Sequence, residues 1–240
     1  VTHLFSELEQ SETQNLLNAV DTASFARDLS AAAQRLNFDY CAFGMRMPLP
    51  VSNPKFSIAS NYPVAWQARY AKENYLTIDP TVAHGTRSVS PIIWDGAVGD
   101  GAREFWEDAQ GHGLKFGWAQ SFIGANGATG MLTLSRSHEA ISRLELRENI
   151  MRMTCLVQVA HAGMSRLVSS TALRGKAASL SIREIEVLRW CADGKTSGEA
   201  AQIMGISERT VNFHITNALE KLGTNNRTAG VVKAAMLRLL

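Results

Sequence analysis

Several things are scarce in this 240-residue sequence, and each shortage excludes a class of protein. No segment reaches the roughly 18 uninterrupted apolar residues that a membrane-spanning helix needs. Val1 to Gln10 is acidic and polar, unlike the basic-then-apolar start of a secretory signal, so a cytoplasmic protein without a membrane partner is expected. Cysteine is sparse: Cys41, Cys155 and Cys191 lie far apart, in apolar contexts and in an odd number. That argues for buried free thiols in a reducing compartment rather than a disulfide frame or a zinc site. His3, His84, His112, His138 and His161 show neither HxH nor HExxH spacing, and the glycines form no GxGxxG or Walker-type loop. The expectation is therefore a protein that is not an enzyme and carries no metal or cofactor. What is present is ordinary globular material, 45% apolar and 19% charged, which excludes wholesale disorder.

The charge is uneven. Residues 171–240 hold ten Lys/Arg against six Asp/Glu, whereas residues 1–170 hold fourteen against sixteen. A basic C-terminal part suits a polyanionic partner. Aromatic residues are uneven too, since Trp66, Trp94, Trp106 and Trp118 and three of the four tyrosines fall between Tyr62 and Trp118. Between them and the C-terminal part the chain turns small and polar, as VSSTALRGKAAS. We divide the chain there into residues 1–168, a linker at 169–179, and residues 180–240.

In the first part, Phe25, Leu29, Ala32, Ala33 and Leu36 have helical spacing, and Ala102 to His112 reads as a further helix. Pro63 opens a helix to Glu73, as proline does in a first turn. Ser142 to Leu167 reads as a long amphipathic helix with Leu144, Ile150, Met153, Leu156, Val157 and Ala160 on its apolar side. Tyr40–Arg46, Trp118–Ile123 and Gly130–Ser135 read as strands. Strands with helices on both sides in sequence suggest one sheet between helices, an α/β/α sandwich.

The last 60 residues alternate helix and helix punctuation. Ser181-x-x-Glu184 and Thr196-x-x-Glu199 are capping boxes, Ser207 is a third cap, and Gly194, Gly205 and Gly223 are left-handed stops. The Gly205-Ile206-Ser207 joint sets two short helices as a helix-turn-helix in an all-α, four-helix domain. On the third helix Val211, Ile215, Ala218, Leu219 and Leu222 form a core stripe, and Arg209, Phe213, Thr216 and Asn217 project opposite, with Asn212 at the edge. Such side chains read base edges, and an outward Phe suits a thymine methyl. The same pattern fits an ordinary bundle with a polar face, and Glu220 on that face would repel phosphate. His214 reads as a packed, hydrogen-bonded histidine. Lys195 and Thr196 fit either a phosphate contact at a helix N-terminus or plain capping.

The run SIREIEVLRWCADGKTSGEAAQIMGISERTVNFHITNALEKLGTNNRTAG resembles the DNA-binding module of LuxR-type transcription factors. The resemblance implies that the third helix enters the major groove of double-stranded DNA, with Thr210 and Lys221 completing the DNA-facing set. It also implies that the fourth helix helps pair two copies on a dyad-symmetric promoter site. Gly198 stands where Trp is common and Ala200 where Ile is common, which shrinks the packing of the second helix.

That module serves several kinds of regulator. A phosphorylation-driven receiver would begin with paired acidic residues at a strand end, and none occur between Val1 and Asp39. Instead NYPVAWQARYAKENYLTIDPTVAHG, PIIWDG and HGLKFG resemble the autoinducer-binding domain of quorum-sensing LuxR-type receptors. From the residues alone, Tyr62, Trp66 and Tyr70 are four apart and would share a helix face, an aromatic wall with polar tips. Asp79 follows, held before Pro80. Each taken singly also fits a core aromatic or a helix cap. The resemblance implies an acyl-homoserine lactone as the small-molecule effector. Trp66 would donate to the lactone carbonyl, Asp79 would accept the amide N–H while ionised, and Tyr62, with Thr133, would serve the acyl carbonyl. Tyr70, Trp94, Phe105, Ala109 and Leu114 would line ring and tail, with Ala42 and Met131 bordering the tail. Ala119 and Ser121 replace a hydroxyl residue and a proline common in relatives.

The expectation is thus a homodimeric, ligand-gated activator. The alternative is a LuxR-type regulator that answers another small molecule or none. A lactone-hydrolysing enzyme would need a nucleophile with a base or a histidine cluster, and the sequence has neither pattern.

Overall fold

The computed structural model describes residues 10–95, 102–125, 127–172 and 179–240, which form two compact units. The expected linker falls largely outside the described residues, as do nearly all of Val1 to Gln10, His3 included.

In the first unit, five strands form one antiparallel sheet: β1 (Tyr40–Arg46), β2 (Phe56–Ser60), β3 (Ile92–Trp94), β4 (Phe116–Ile123) and β5 (Thr129–Arg136), in the order β2-β1-β5-β4-β3. Its helices are α1 (Gln10–Asn18), α2 (Thr22–Arg35), α3 (Val64–Lys72), α4 (Pro80–Gly85), α5 (Arg103–Gly111) and α6 (Arg143–Ala172), and a single 3-10 turn spans Tyr75–Thr77. The α/β/α arrangement read from the sequence is what the structure shows.

Alternation along β1 assigns the two faces. Cys41, Phe43 and Met45 are fully buried on one side, where Phe43 meets Phe25 of α2 and His161 of α6 edge-on. Tyr40, Ala42 and Gly44 point to the other side, which α3, α4 and α5 cover. Helix α2 starts at a capping box in which Ser24 N–H donates to Asp21 Oδ1 at 2.7 Å. Helix α6 is tied down at its start by Arg136, a fully buried side chain. All five guanidinium donors are used: two go to Glu145 at 2.6 and 2.7 Å, and three to the carbonyls of Asn37, Glu139 and Ala140. The Arg136 hydrogen bonds hold the Glu145 carboxyl below the usual range, against the opposing effect of burial.

Two details differ from the sequence reading. Tyr62 is not on the helix with Trp66 and Tyr70, because Pro63 is the N-cap of α3 and a residue before proline is driven extended. Leu144 is exposed, since it lies in the first turn of α6, before the helix meets the sheet.

The second unit contains α7 (Ile182–Ala192), α8 (Ser197–Met204), α9 (Glu208–Leu222) and α10 (Arg227–Met236), with the caps at the expected residues. Ser181 and Thr196 form complete capping boxes with Glu184 and Glu199, and Ser207 accepts from Thr210 N–H. Gly205 sits at φ 65°, the left-handed conformation that glycine adopts without penalty, and Ile206 N–H returns to Ala201 O at 3.1 Å to close the turn. Val187, Ala200, Ala201, Val211 and Ile215 form one core cluster, and Leu188, Ala218, Leu222 and Ala234 form another. At the crossing of α9 and α10 a Cβ on Gly230 would lie 2.2 Å from Leu219 Cδ2, so a larger residue there must displace the end of that leucine.

Candidate ligand cavity and DNA-facing helix

Between the sheet and α3, α4 and α5, with Thr22, Ala23 and Ala26 of α2 also in its wall, lies a cavity of about 610 Å3, in the range of small-molecule sites. Strand register arranges the sheet face beneath it as rows of side chains, some of which line the cavity. Trp94, Gly117, Ser135 and Tyr40 form the first row; Ala119, Thr133, Ala42 and Ser60 the second; Ser121, Met131, Gly44 and Ile58 the third. A Cβ on Gly117 would sit 2.2 Å from the Trp94 ring, so glycine there is what lets the indole lie flat on the sheet. The cavity therefore has an aromatic end, where Trp94 meets Trp66, Phe105 and Trp106, and an end floored by small or flexible residues.

All ten residues nominated from the sequence line this cavity: Tyr62, Trp66, Tyr70, Asp79, Trp94, Phe105, Ala109, Leu114, Met131 and Thr133. Ala42 lines it too. Ala119 is buried beneath the wall without lining it, and the Ser121 hydroxyl is turned to Ser88 O at 2.7 Å. Sequence reading missed Leu76, Thr81 and Val82 around the Asp79 corner, as well as Gly44, Ile58 and Ser60. The first three follow from the turn into α4; the others need the pairing of β1 with β2, which no local pattern encodes.

Asp79 is the polar centre. It is the N-cap of α4, and its Oδ1 accepts from Thr81 N–H at 2.8 Å, Thr81 Oγ1 at 2.7 Å and, at 3.4 Å, Val82 N–H. Oδ2 accepts from Tyr70 OH at 3.0 Å. A carboxylate offers about four lone-pair positions, so Oδ2 keeps one acceptor site beside the cavity. Burial pushes the Asp79 carboxyl above its ordinary range, opposed by the hydrogen bonds from Thr81, Tyr70 and Val82. Burial also raises the phenols of Tyr62 and Tyr70, which stay neutral donors. The Trp94 indole N–H is buried without a partner. Behind the aromatic end, Tyr75 OH donates to Asp108 Oδ2, and Arg69 Nε reaches the same oxygen at 2.7 Å, bracing α3 against α5. These two bonds, Tyr75 first, hold the Asp108 carboxyl below its usual range.

On α9 the outward side chains are Arg209, Asn212, Phe213 and Thr216, all exposed, with Thr210 and Asn217 half-buried. Phe213 is 60% exposed and meets the His214 ring edge-on. Asn212 Oδ1 accepts from Ser197 Oγ at 2.7 Å, which ties α9 to the start of α8, and Thr210 Oγ1 pairs with the cap hydroxyl of Ser207. Thr196 is engaged as the cap of α8, and Lys195 lends its carbonyl to Arg227. Lys221 is held away from this group, donating to both oxygens of the buried Glu184 at 2.8 and 2.9 Å.

Residues 21–164 match the family model of the autoinducer binding domain, and residues 178–234 that of the bacterial regulatory proteins of the luxR family. The chain belongs to the LuxR family. It is 42% identical over 214 residues to the transcriptional activator protein AnoR of Acinetobacter nosocomialis, covering 88% of this chain and 90% of AnoR. The crystal structure of Escherichia coli SdiA matches with a TM-score of 0.77 at 32% identity, over 96% of both chains, and SdiA has also been solved in complex with octanoyl-rac-glycerol. CepR2 of Burkholderia cenocepacia, described as an N-acylhomoserine lactone dependent LuxR family factor, matches with a TM-score of 0.62 at 28% identity, over 70% of this chain and 99% of CepR2. The LuxR-type regulator thus pairs an effector-binding domain with a DNA-binding one. Among the described residues no group of three His, Cys, Asp or Glu could hold a metal ion, and no helix is long and apolar enough to cross a membrane.

Proposed function

We propose that this LuxR-type regulator encloses an acyl-homoserine lactone in the cavity of its first unit. As a cytoplasmic homodimer it would then present two copies of α9 to a dyad-symmetric promoter site and activate transcription. The open acceptor position on Asp79 Oδ2 carries the reading: one buried carboxylate in the wall of a mostly aromatic and apolar chamber suits a ligand with a single amide N–H. Trp66 supplies an indole donor for the lactone carbonyl, and Tyr62 and Thr133 supply hydroxyls for the acyl carbonyl. The rows of small residues on the sheet leave room for an alkyl tail. Arg209, Thr210, Asn212, Phe213, Thr216 and Asn217 would face the groove, with Lys195 and Thr196 near phosphates, while Lys221, expected from the sequence in the same set, stays on Glu184. The chain acts as a regulator without catalysing a reaction.

Ligand gates DNA binding to the extent that it prefers the DNA-competent state, and linkage makes the effect reciprocal. The test is DNA affinity measured by fluorescence anisotropy on duplexes selected by the protein from a random pool, with and without lactone and across salt. Log affinity should fall linearly with log salt, with a slope set by the phosphates contacted. A flat salt dependence, or an affinity indifferent to lactone, overturns the proposal. A second reading, an acyl glycerol as effector, has support in the SdiA complex, since a glycerol hydroxyl can also donate to Asp79. Mass analysis of the bound molecule separates the two.

A further inference from the structure

Resting on the lactone reading, we infer that two glycines set the longest acyl tail the cavity takes: Gly44, whose missing side chain is part of the tail space, and Gly85, which seats Met131. The third row of the sheet floor, with Met131, Gly44 and Ile58, is the last to line the cavity; the next row, with Thr129, Arg46 and Phe56, lies beyond it. A tail that starts between Asp79 and Thr133 and runs along the small-residue rows ends at Met131. The two glycines near that side chain differ in what surrounds them. A Cβ on Gly44 would meet nothing within 4 Å, so a side chain there fills open cavity. A Cβ on Gly85, at the end of α4, would lie 2.9 Å from Met131 Sδ and 3.4 Å from Ser121 Cβ. Ser121 is fixed by its bond to Ser88, whereas the methionine is flexible, so Met131 yields and moves off its seat into the cavity. Neither glycine has a positive φ, so larger residues are tolerated by the backbone. Gly85 is a positioning residue acting through Met131, and Gly44 acts directly.

The experiment measures dissociation constants of unsubstituted acyl-homoserine lactones of graded tail length for the wild-type chain, Gly44→Val, Gly85→Ala, Met131→Ala and the Gly85→Ala/Met131→Ala double variant. In the wild type, each methylene that finds room improves affinity roughly fourfold until the wall is reached. The optimum should shorten by about one methylene in Gly85→Ala and by about two in Gly44→Val, and lengthen in Met131→Ala. In the double variant, Gly85→Ala should have no further effect, because the side chain it displaces is gone. If the wild type shows a clear optimum that Gly44→Val and Gly85→Ala leave in place, the tail runs elsewhere, toward Ala23 and Ala26 of α2, and the inference is wrong. Lactones that bind the folded wild type at no length would sink the lactone reading itself, and the inference with it.

Discussion

In the first unit the groups proposed for recognition are inside, and in the second they are outside. Asp79 is buried, serves as a helix cap and keeps one acceptor position, whereas Arg209 and Phe213 stand in solvent on α9 with few obligations to their own fold. The difference shows in the ion pairs as well. Arg136 and Glu145 meet where water does not reach the arginine, while Lys221, 43% exposed, covers Glu184 from the surface. A recognition group in the interior is therefore entangled with stability, and one on the surface is separable from it. That contrast can be broken experimentally at several points.

The largest effect should come from Arg136→Met. It strands the Glu145 carboxylate and three carbonyls, at about 3–5 kcal/mol in denaturant unfolding. Arg209→Ala should weaken DNA binding by about 1–3 kcal/mol if that side chain reads a base, while leaving stability within about 0.5 kcal/mol. A melting temperature that drops along with the DNA affinity would remove the separation between the two roles. Lys221→Met should cost about 1–3 kcal/mol of stability, because it takes the ammonium off the buried Glu184 carboxylate while Ser181 N–H still bonds it. Because its ammonium is already engaged by Glu184, the salt slope of DNA binding should stay unchanged; a slope smaller by about one would instead place Lys221 at a phosphate.

The smallest effects are pH-dependent and opposite in sign. Burial is the largest influence on Glu184, but its bonds to Lys221 and Ser181 overcome it and lower the carboxyl. A lowered carboxyl adds stability above its unfolded pKa, and that stability is lost as pH falls through the folded value. Asp79 is raised by burial, so the ligand-free chain gains from its protonation as pH falls, and loses that gain as pH rises through the folded value. Lactone affinity should run the other way, rising with pH through the Asp79 titration, because the ionised form accepts the amide N–H. A pH-independent affinity in the wild type, over the range where Asp79 titrates, would contradict the assignment.

How legible this was in the sequence follows the same division. The helices of the second unit are punctuated locally, by Ser181, Thr196, Ser207, Gly205 and Gly223, so their ends were readable one residue at a time. In the first unit β1, β4, β5 and α6 carry their own periodicity, but β2 and β3 are short, and their places come from pairing with strands distant in sequence. The cavity aromatics were visible as a cluster of Trp and Tyr. Their geometry was less so: Tyr62 leaves the helix face because of Pro63, and the Tyr70–Asp79 bond joins residues whose spacing has no helical or strand meaning. The hold of Glu184 on Lys221 was hidden for the same reason, being a contact between α7 and α9.

The most direct test of the central claim is calorimetric titration of the same acyl-homoserine lactone into the wild type and Asp79→Asn. Asparagine keeps an oxygen to cap α4 and an amide that Tyr70 OH can accept from, so the fold should be retained and the melting temperature nearly unchanged. Its N–H groups would face the ligand's own amide N–H, leaving a buried donor unpaired, worth roughly 1–3 kcal/mol. The account predicts binding weaker by about five- to 150-fold in Asp79→Asn. Equal affinities in two equally folded proteins would mean that Asp79 does no more than cap its helix, and that the cavity recognises its ligand by other means.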